Sequence, residues 1–597
     1  RLTDTEAFET DARFSPNGRF VSFIRNDELV LVDVETGRER RVTKGANGVI
    51  RNGVSEFVAQ EELDRDTGYW WSPRNDLIAF AEIDESPVPI AERIDINADS
   101  VVTIRQRYPF AGAANVKIRI GVTTPKGGRP VWIDLGSNPD IYVARVHWRR
   151  DGGALYVERL SRDQQTLDFL EADPRTGRSR VLFTERSPTW INVGDFFHAL
   201  KDGGFLWGSE ESGFRQLYRY DASGKRVGAV TGGKGLVASL DCVDEESGII
   251  YFGGWRDSPI DRHLFSVPLA GGDATQITRG GGQNHAGYSN NCKTAIRRFS
   301  DDATPPRLGV FDGKSGEFKF WVNENKVEGK HPYAAYKSEH LPWTYGQILA
   351  ADGKTRLDYK YLTPPGLKPG QKVPAIIHVY GGPGVQYVSN AWSERWDLLG
   401  QMLAQNGFVV FRLDNRGASN RGTAFENPLH RNMGVVEVAD QAAGARFLKS
   451  LPFVDGARIG VYGWSYGGYM TLRMMTETPE LYAAGVSGAP VTDWKLYDTA
   501  YTERYMGMPE GEADAYDAGS VFSDLAAIKG RLLLIHGMAD DNVIFKHSVL
   551  LMDALQKQGT GFDLMTYPGE KHGFRATANK IHRDRLILDF FNRTLKR

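Results

Sequence analysis

The chain has little cysteine, no long apolar run and almost no net charge, and each absence excludes something. Its 597 residues include two cysteines, Cys242 and Cys292. Two distant thiols give no metal-ligand spacing and no disulfide-dense scaffold, so no metal and no cofactor is expected. The longest apolar runs, such as VPAIIHVY and RLLLIH, are strand-sized, far short of the about 18 residues that span a bilayer. Lys plus Arg number 73 and Asp plus Glu 75, a net charge of −2. That balance offers no general attraction to nucleic acid or an anionic membrane, and no basic patch with interleaved aromatics compensates. The first residue is Arg1, with no charged and apolar leader before it, so further N-terminal sequence is expected to precede it. The length exceeds one typical core and predicts at least two domains.

What is present divides near residue 330. The first part repeats a strand, turn, strand phrase: FSPNGRFVSF at 14–23, WSPRNDLIAF at 71–80, WRRDGGALYV at 148–157, KDGGFLW at 201–207 and DEESGIIYF at 244–252. A second phrase turns at Gly37, Gly127, Gly177, Gly224, Gly272 and Gly316, and from Gly127 onward its period is about 45–50 residues, the length of a four-stranded propeller blade. About six blades are visible. The wider gap from Gly37 to Gly127 predicts an insertion within Glu56 to Ala114, and insertions into repeats gather on a functional face. Cys242 and Cys292 lie about one repeat apart, which suits either a disulfide between neighbouring repeats or two unpaired core thiols. Beyond residue 330, strands such as KVPAIIHVY and GFVVFRLD alternate with a helical stretch, VEVADQAAGARFLKSL, as in a parallel sheet covered by helices. The predicted fold is therefore a β-propeller (1–330) followed by an α/β-hydrolase domain (331–597).

Within that second part, Gly463-Trp464-Ser465-Tyr466-Gly467 stands between an apolar strand, Arg458 to Tyr462, and a helix-compatible run. This is the context in which a serine is exposed on a strained strand-to-helix turn. Two later strand-like runs, RLLLIH and Phe562 to Tyr567, end in loops carrying Asp540, Asp541 and His572. The order serine, acid, histidine is that of α/β-hydrolases. Histidine, with a pKa of about 6.5, can take the serine proton and return it, and a buried carboxylate fixes the imidazole tautomer. Spacing alone does not choose between Asp540 and Asp541. His536, at a strand end, and His582, in a C-terminal helical pattern, read as structural or solvent-facing.

GWSYGGYM at 463–470, HGMADDNV at 536–543, His572-Gly573, VYGGPG at 379–384, YDTAYTERYMG at 497–507 and VAQEELDRDTGYWWSP at 58–73 together resemble the prolyl oligopeptidase family of serine peptidases, within it the dipeptidyl peptidase IV group. The similarity covers nearly the whole chain. It implies that the visible blades belong to an eight-bladed propeller, that Asp540 is the triad acid, and that the Tyr380 hydroxyl joins the Tyr466 backbone N–H as oxyanion donor. It also implies that Glu61 and Glu62 grip the protonated N-terminus of a peptide, fixing release of dipeptides. Taken alone, such a pair reads as a solvated turn. Val491, Trp494, Tyr497, Tyr501, Tyr466 and Val543 would form a compact box for proline or alanine before the scissile bond, although 494, 497 and 501 also have helical spacing suited to plain core packing. Asn542 resembles the residue that contacts the substrate carbonyl. The family also uses an arginine from an earlier blade for this contact; no residue of this sequence is assigned to it, consistent with missing N-terminal sequence. The expected partners are peptides with a free N-terminus and a second copy of the chain, and the expected location is periplasmic or secreted. Rival readings are a tripeptidyl or acylaminoacyl peptidase on the same scaffold, a carboxylesterase, and a binding protein with a vestigial hydrolase.

Overall fold

The computed structural model describes residues 2–392 and 397–596; Arg1 and Arg597, the outer ends of the two expected domains, lie outside them. Among the described residues the first half builds six antiparallel sheets in chain order. Five are four-stranded meanders, starting with Glu9–Phe14 and ending with Phe318–Asn323. Phe169, Phe205, Trp207 and Tyr218 pack between the third and fourth sheets, the inter-blade burial that stabilises such an array. Cys242 and Cys292 are joined as a disulfide with Cα atoms 6.0 Å apart. The bridge ties the first strand of the fifth sheet, Leu236–Asp244, to the first turn of the sixth.

The second sheet explains the long repeat interval. Its first strand is split: Ile50–Asn52 and Tyr69–Trp71 both pair with Ile78–Asp84. Between the two pieces the chain leaves the sheet to form helix α1, Phe57–Glu62. A second excursion, the hairpin Ile90–Ile96 with Val101–Arg107, follows Ile78–Asp84. The expected single insertion is thus two, with blade strands between them.

After residue 340 the chain forms one eight-stranded sheet from β1 (Thr344–Leu349), β2 (Arg356–Leu362), β3 (Val373–His378), β4 (Val409–Leu413), β5 (Val454–Trp464), β6 (Ala484–Gly488), β7 (Arg531–Gly537) and β8 (Asp563–Tyr567). The order is β1-β2-β4-β3-β5-β6-β7-β8, antiparallel at β1, β2 and β4 and parallel from β4 to β8. β3, β4 and β6 are buried on both faces, which is why they read as continuous apolar runs. Helices α2 (Val436–Ser450) and α3 (Tyr466–Glu477) contribute to one apolar layer and α6 (Thr577–Leu595) to the other. Helices α4 (Thr499–Met506) and α5 (Lys546–Lys557) join the layer of α2 and α3.

Candidate active site

β5 ends at Trp464 and α3 begins at Tyr466, so Ser465 is the turn itself. Its backbone sits at φ 62° and ψ −119°, a strained conformation for a residue with a side chain. The flanking glycines are spatial requirements: a Cβ on Gly463 would lie 2.2 Å from the Gly467 carbonyl oxygen, and one on Gly467 2.4 Å from that of Val379. The serine is thereby held off the sheet edge. His572, in the loop after β8, places Nε2 2.9 Å from Ser465 Oγ. Its Nδ1 lies 2.8 Å from Asp540 Oδ2, in the loop after β7.

The two adjacent aspartates are separated by geometry. Asp540 is buried and also accepts the Asn542 N–H at 3.0 Å through Oδ1, whereas Asp541 pairs with Lys571. Burial alone would raise the Asp540 pKa, but attraction to His572 and hydrogen bonds from His536 and His572 hold it well below the usual carboxylate range. Burial likewise disfavours the charged imidazole of His572. The Asp540 carboxylate, with Glu61 and Asp541, outweighs it and raises the histidine pKa. The arrangement can take a proton from Ser465 and stabilise the imidazolium that results.

Tyr380 lies two residues beyond the end of β3. Its ring stacks on Tyr387 at 5.7 Å and tilts against Tyr466 at 6.0 Å, and a Cβ on Gly382 would come 2.8 Å from both the Tyr380 and Tyr466 rings. Burial, then the charge of Glu62, keep the Tyr380 phenol neutral and therefore a donor. The Tyr466 hydroxyl is committed elsewhere, to buried Glu437 at 2.5 Å. What Tyr466 offers at the elbow is its backbone N–H, at the positive end of α3.

The first excursion brings the acidic pair to this site. Glu56 caps α1 by accepting the N–H groups of Val58 and Ala59, and α1 packs on α4. At its end, Glu61 accepts a hydrogen bond from Asn542 Nδ2 at 2.5 Å, two residues from Asp540. Asn542 is also bound by the Tyr497 hydroxyl at 2.8 Å. Glu62 is pushed well above the usual carboxylate range by burial and by the Asp498 carboxylate, against the pull of Arg504. Asp498 is pushed up to about 7, chiefly by burial. Both carboxyls are thus harder to ionise together than apart.

The aromatic residues expected around the scissile bond do meet. Trp494 contacts Tyr466 at 5.4 Å, Tyr497 at 6.1 Å and Tyr501 at 5.9 Å, and Tyr497 meets Tyr501 edge-on at 5.4 Å. Val491 and Val543 belong to the same buried cluster. They do not share one helix, however. A short turn Trp494–Leu496 is capped by Asp493, the chain then extends through Tyr497 and Asp498, and Asp498 caps α4. Helical spacing was therefore misleading at Trp494.

Several neighbours carried no signal of their own in the sequence. Asp498 and Arg504 sit inside the YDTAYTERYMG string, but their role emerges only beside Glu62. Arg504 donates to the Glu62 carbonyl at 3.1 Å and to Gln164 at 2.6 Å. Arg162 grips Glu503 with two bonds of 2.8 and 2.7 Å, fastening α4 to the propeller. A cavity of about 470 Å³ opens between the two halves and is lined by Glu62, Arg215, Arg262, Gly384, Arg504 and Tyr505, among others. His536 reaches Asp540, and His582 bonds Tyr567 instead.

A propeller standing over an α/β-hydrolase sheet, with a serine, histidine and aspartate in hydrogen-bonded sequence, defines a serine hydrolase of the propeller-capped class. A family model described as the dipeptidyl peptidase IV N-terminal region matches residues 1–306, and one described as the prolyl oligopeptidase family matches residues 394–597. Dipeptidyl peptidase 8 of Homo sapiens is 30% identical over 672 aligned positions, covering 96% of this chain and 74% of the relative; the Mus musculus protein of the same name gives the same values. The crystal structure of Porphyromonas gingivalis dipeptidyl peptidase 4 superposes with a TM-score of 0.94 at 28% identity, covering 100% of this chain and 84% of that one. The chain belongs to the prolyl oligopeptidase family of serine peptidases, and its likeness is to the dipeptidyl peptidase IV type.

Proposed function

We propose that the chain is a serine dipeptidyl peptidase that removes X-Pro or X-Ala dipeptides from peptides with a free N-terminus. The observation that carries the reading is the delivery of Glu61 and Glu62 onto the triad loop, where Asn542 binds Glu61. A desolvated ammonium needs carboxylate partners, and an amine fixed there leaves one productive register for Ser465. In the reaction, Ser465 Oγ attacks the second peptide carbonyl while His572 Nε2 takes its proton. The oxyanion receives hydrogen bonds from the Tyr380 hydroxyl and the Tyr466 N–H. His572 then protonates the leaving amine, and water repeats the sequence on the acyl-enzyme. Mass analysis of the products from an X-Pro peptide tests the reading: the dipeptide is expected as first product, whereas a tripeptide or a blocked single residue would transfer the chain to the rival activities.

Tyr380→Phe should lower kcat for such a substrate by about 10²–10³-fold with KM nearly unchanged, because the donor acts where charge develops. A loss below about fivefold in steady-state assays would remove Tyr380 from the oxyanion site. The pH dependence follows from the same groups. His572 works only when neutral, and its raised pKa moves the acidic limb of kcat/KM above the point an unpartnered imidazole would give. On the alkaline side the substrate amine loses its proton around pH 7.7–8.0 and with it the grip of the carboxylates. A bell-shaped profile is expected, and a flat one between about pH 6 and 9 contradicts the assignment.

The same reading takes the protein as a periplasmic or secreted homodimer. Its support for the location is the Cys242–Cys292 disulfide, which suits an oxidising compartment. For the dimer it is the propeller hairpin, whose Ile90, Ile94, Val101 and Val102 are exposed while Arg93 and Ile96 bond the loops before Asp540 and His572.

A further inference from the structure

His536 is the penultimate residue of β7 and is completely buried. Its Nε2 lies 3.1 Å from Asp540 Oδ2 and 2.9 Å from the Val543 carbonyl oxygen. A carbonyl only accepts, so Nε2 carries the proton. Nδ1 is 2.7 Å from Ser548 Oγ on α5, and the ring completes its bonding with that hydroxyl as donor. The oxygen that His536 touches is the one that binds His572 Nδ1 at 2.8 Å. One carboxylate oxygen thus serves two imidazoles, while the other is held by the Asn542 N–H.

We propose that His536 is a positioning residue of the triad: its hydrogen bond aims the Asp540 carboxylate and limits how strongly that carboxylate can hold the proton on His572. The inference rests on the triad reading and not on dipeptide specificity. The physical reason is competition. An acceptor oxygen that satisfies two N–H donors lends less of its charge to either, and low dielectric around the buried group magnifies the effect. A carboxylate with only one imidazole would hold the His572 proton more firmly, leaving less neutral base at a given pH.

The other charged groups are arranged to leave this effect visible. Glu61 from α1 and Asp541 face His572, with Asp541 already paired to Lys571. From the hairpin, Arg93 pairs with Asp95 and contacts the Ala539 carbonyl. On α5, His547 accepts the Thr492 N–H through Nδ1, and burial lowers its pKa to about 3. His547 is therefore neutral throughout the working range, and among the described residues the one carboxylate in hydrogen-bond contact with His536 is Asp540.

The test is the pH dependence of hydrolysis of p-nitrophenyl acetate, an ester that requires the triad and not the amine grip. His536→Phe keeps ring volume and removes the donor, and His536→Gln restores an N–H. The midpoint of the acidic limb should move upward by about half to one pH unit in His536→Phe, a several-fold loss of neutral His572 near the midpoint. In His536→Gln it should return at least halfway. Ser548→Ala, which leaves the ring but frees its anchor, should move the midpoint in the same direction by less, and it decides the matter if His536→Phe does not fold. Folded variants with the wild-type midpoint, even with lower kcat or melting temperature, would reduce His536 to a packing residue and overturn the proposal, as would a downward shift. Ester turnover without dipeptide release would instead defeat the specificity reading and leave this one standing.

Discussion

Ser465→Ala is expected to lower kcat for an X-Pro anilide by about a million-fold while leaving substrate binding close to wild type. The magnitude follows from the way such a triad works: serine and histidine act as one unit, so removing either loses nearly all the benefit of both. In this chain the unit is continuous, Ser465 Oγ to His572 Nε2 and His572 Nδ1 to Asp540 Oδ2. The double variant Ser465→Ala/His572→Ala should consequently be no slower than either single one by more than about tenfold. Binding should survive because Glu61, Glu62 and the aromatic residues around Trp494 lie outside the reacting bonds. Steady-state and single-turnover assays measure the first quantity and calorimetric titration of the inactive variant the second. A kcat loss below about a hundredfold would mean that Ser465 is not the nucleophile.

The second large effect belongs to Glu62. Glu62→Ala should reduce kcat/KM for the anilide by about 10²–10³-fold, the scale of removing one partner from a desolvated ion pair. Hydrolysis of a simple ester should change by less than about threefold, since no ammonium has to be held. The structure adds a reason for the difference. Burial and mutual repulsion make it unfavourable for Glu62 and Asp498 to be ionised together, and Arg504 lies close to both. An arriving ammonium supplies the compensating positive charge that the buried Glu62 carboxylate needs. Equal losses on both substrates would show that α1 supports the fold of the site and not the recognition of the amine.

The residues differ in how openly the sequence displays these roles. The elbow is local: strand, glycine, serine, glycine and helix are contiguous, and Gly463 is required by Gly467 itself, although Gly467 is required by the distant Val379 carbonyl. The triad order was readable because each loop follows a strand-like run, yet the choice of Asp540 over Asp541 needed the resemblance. The coordinates supply a reason, since Asp541 is turned to Lys571. At 494, 497 and 501 periodicity suggested one helix; two capping aspartates, Asp493 and Asp498, break it into a turn and a helix. The insertion at 56–114 looked single because a strand split into Ile50–Asn52 and Tyr69–Trp71 leaves no repeat phrase to recognise. Asp498 and His536 were beyond sequence reasoning for a plainer cause. Their importance lies in partners that folding brings to them, Glu62 from the propeller and a triad carboxylate already claimed by another histidine.

The claim that most needs a direct measurement is that the propeller carboxylates hold the peptide amine and so choose the bond. Mass spectrometry of one X-Pro peptide, offered with a free and with an acetylated N-terminus under the same conditions, measures it. The account predicts that the free peptide yields the X-Pro dipeptide and that the acetylated peptide remains intact; cleavage of both at comparable rates would contradict it.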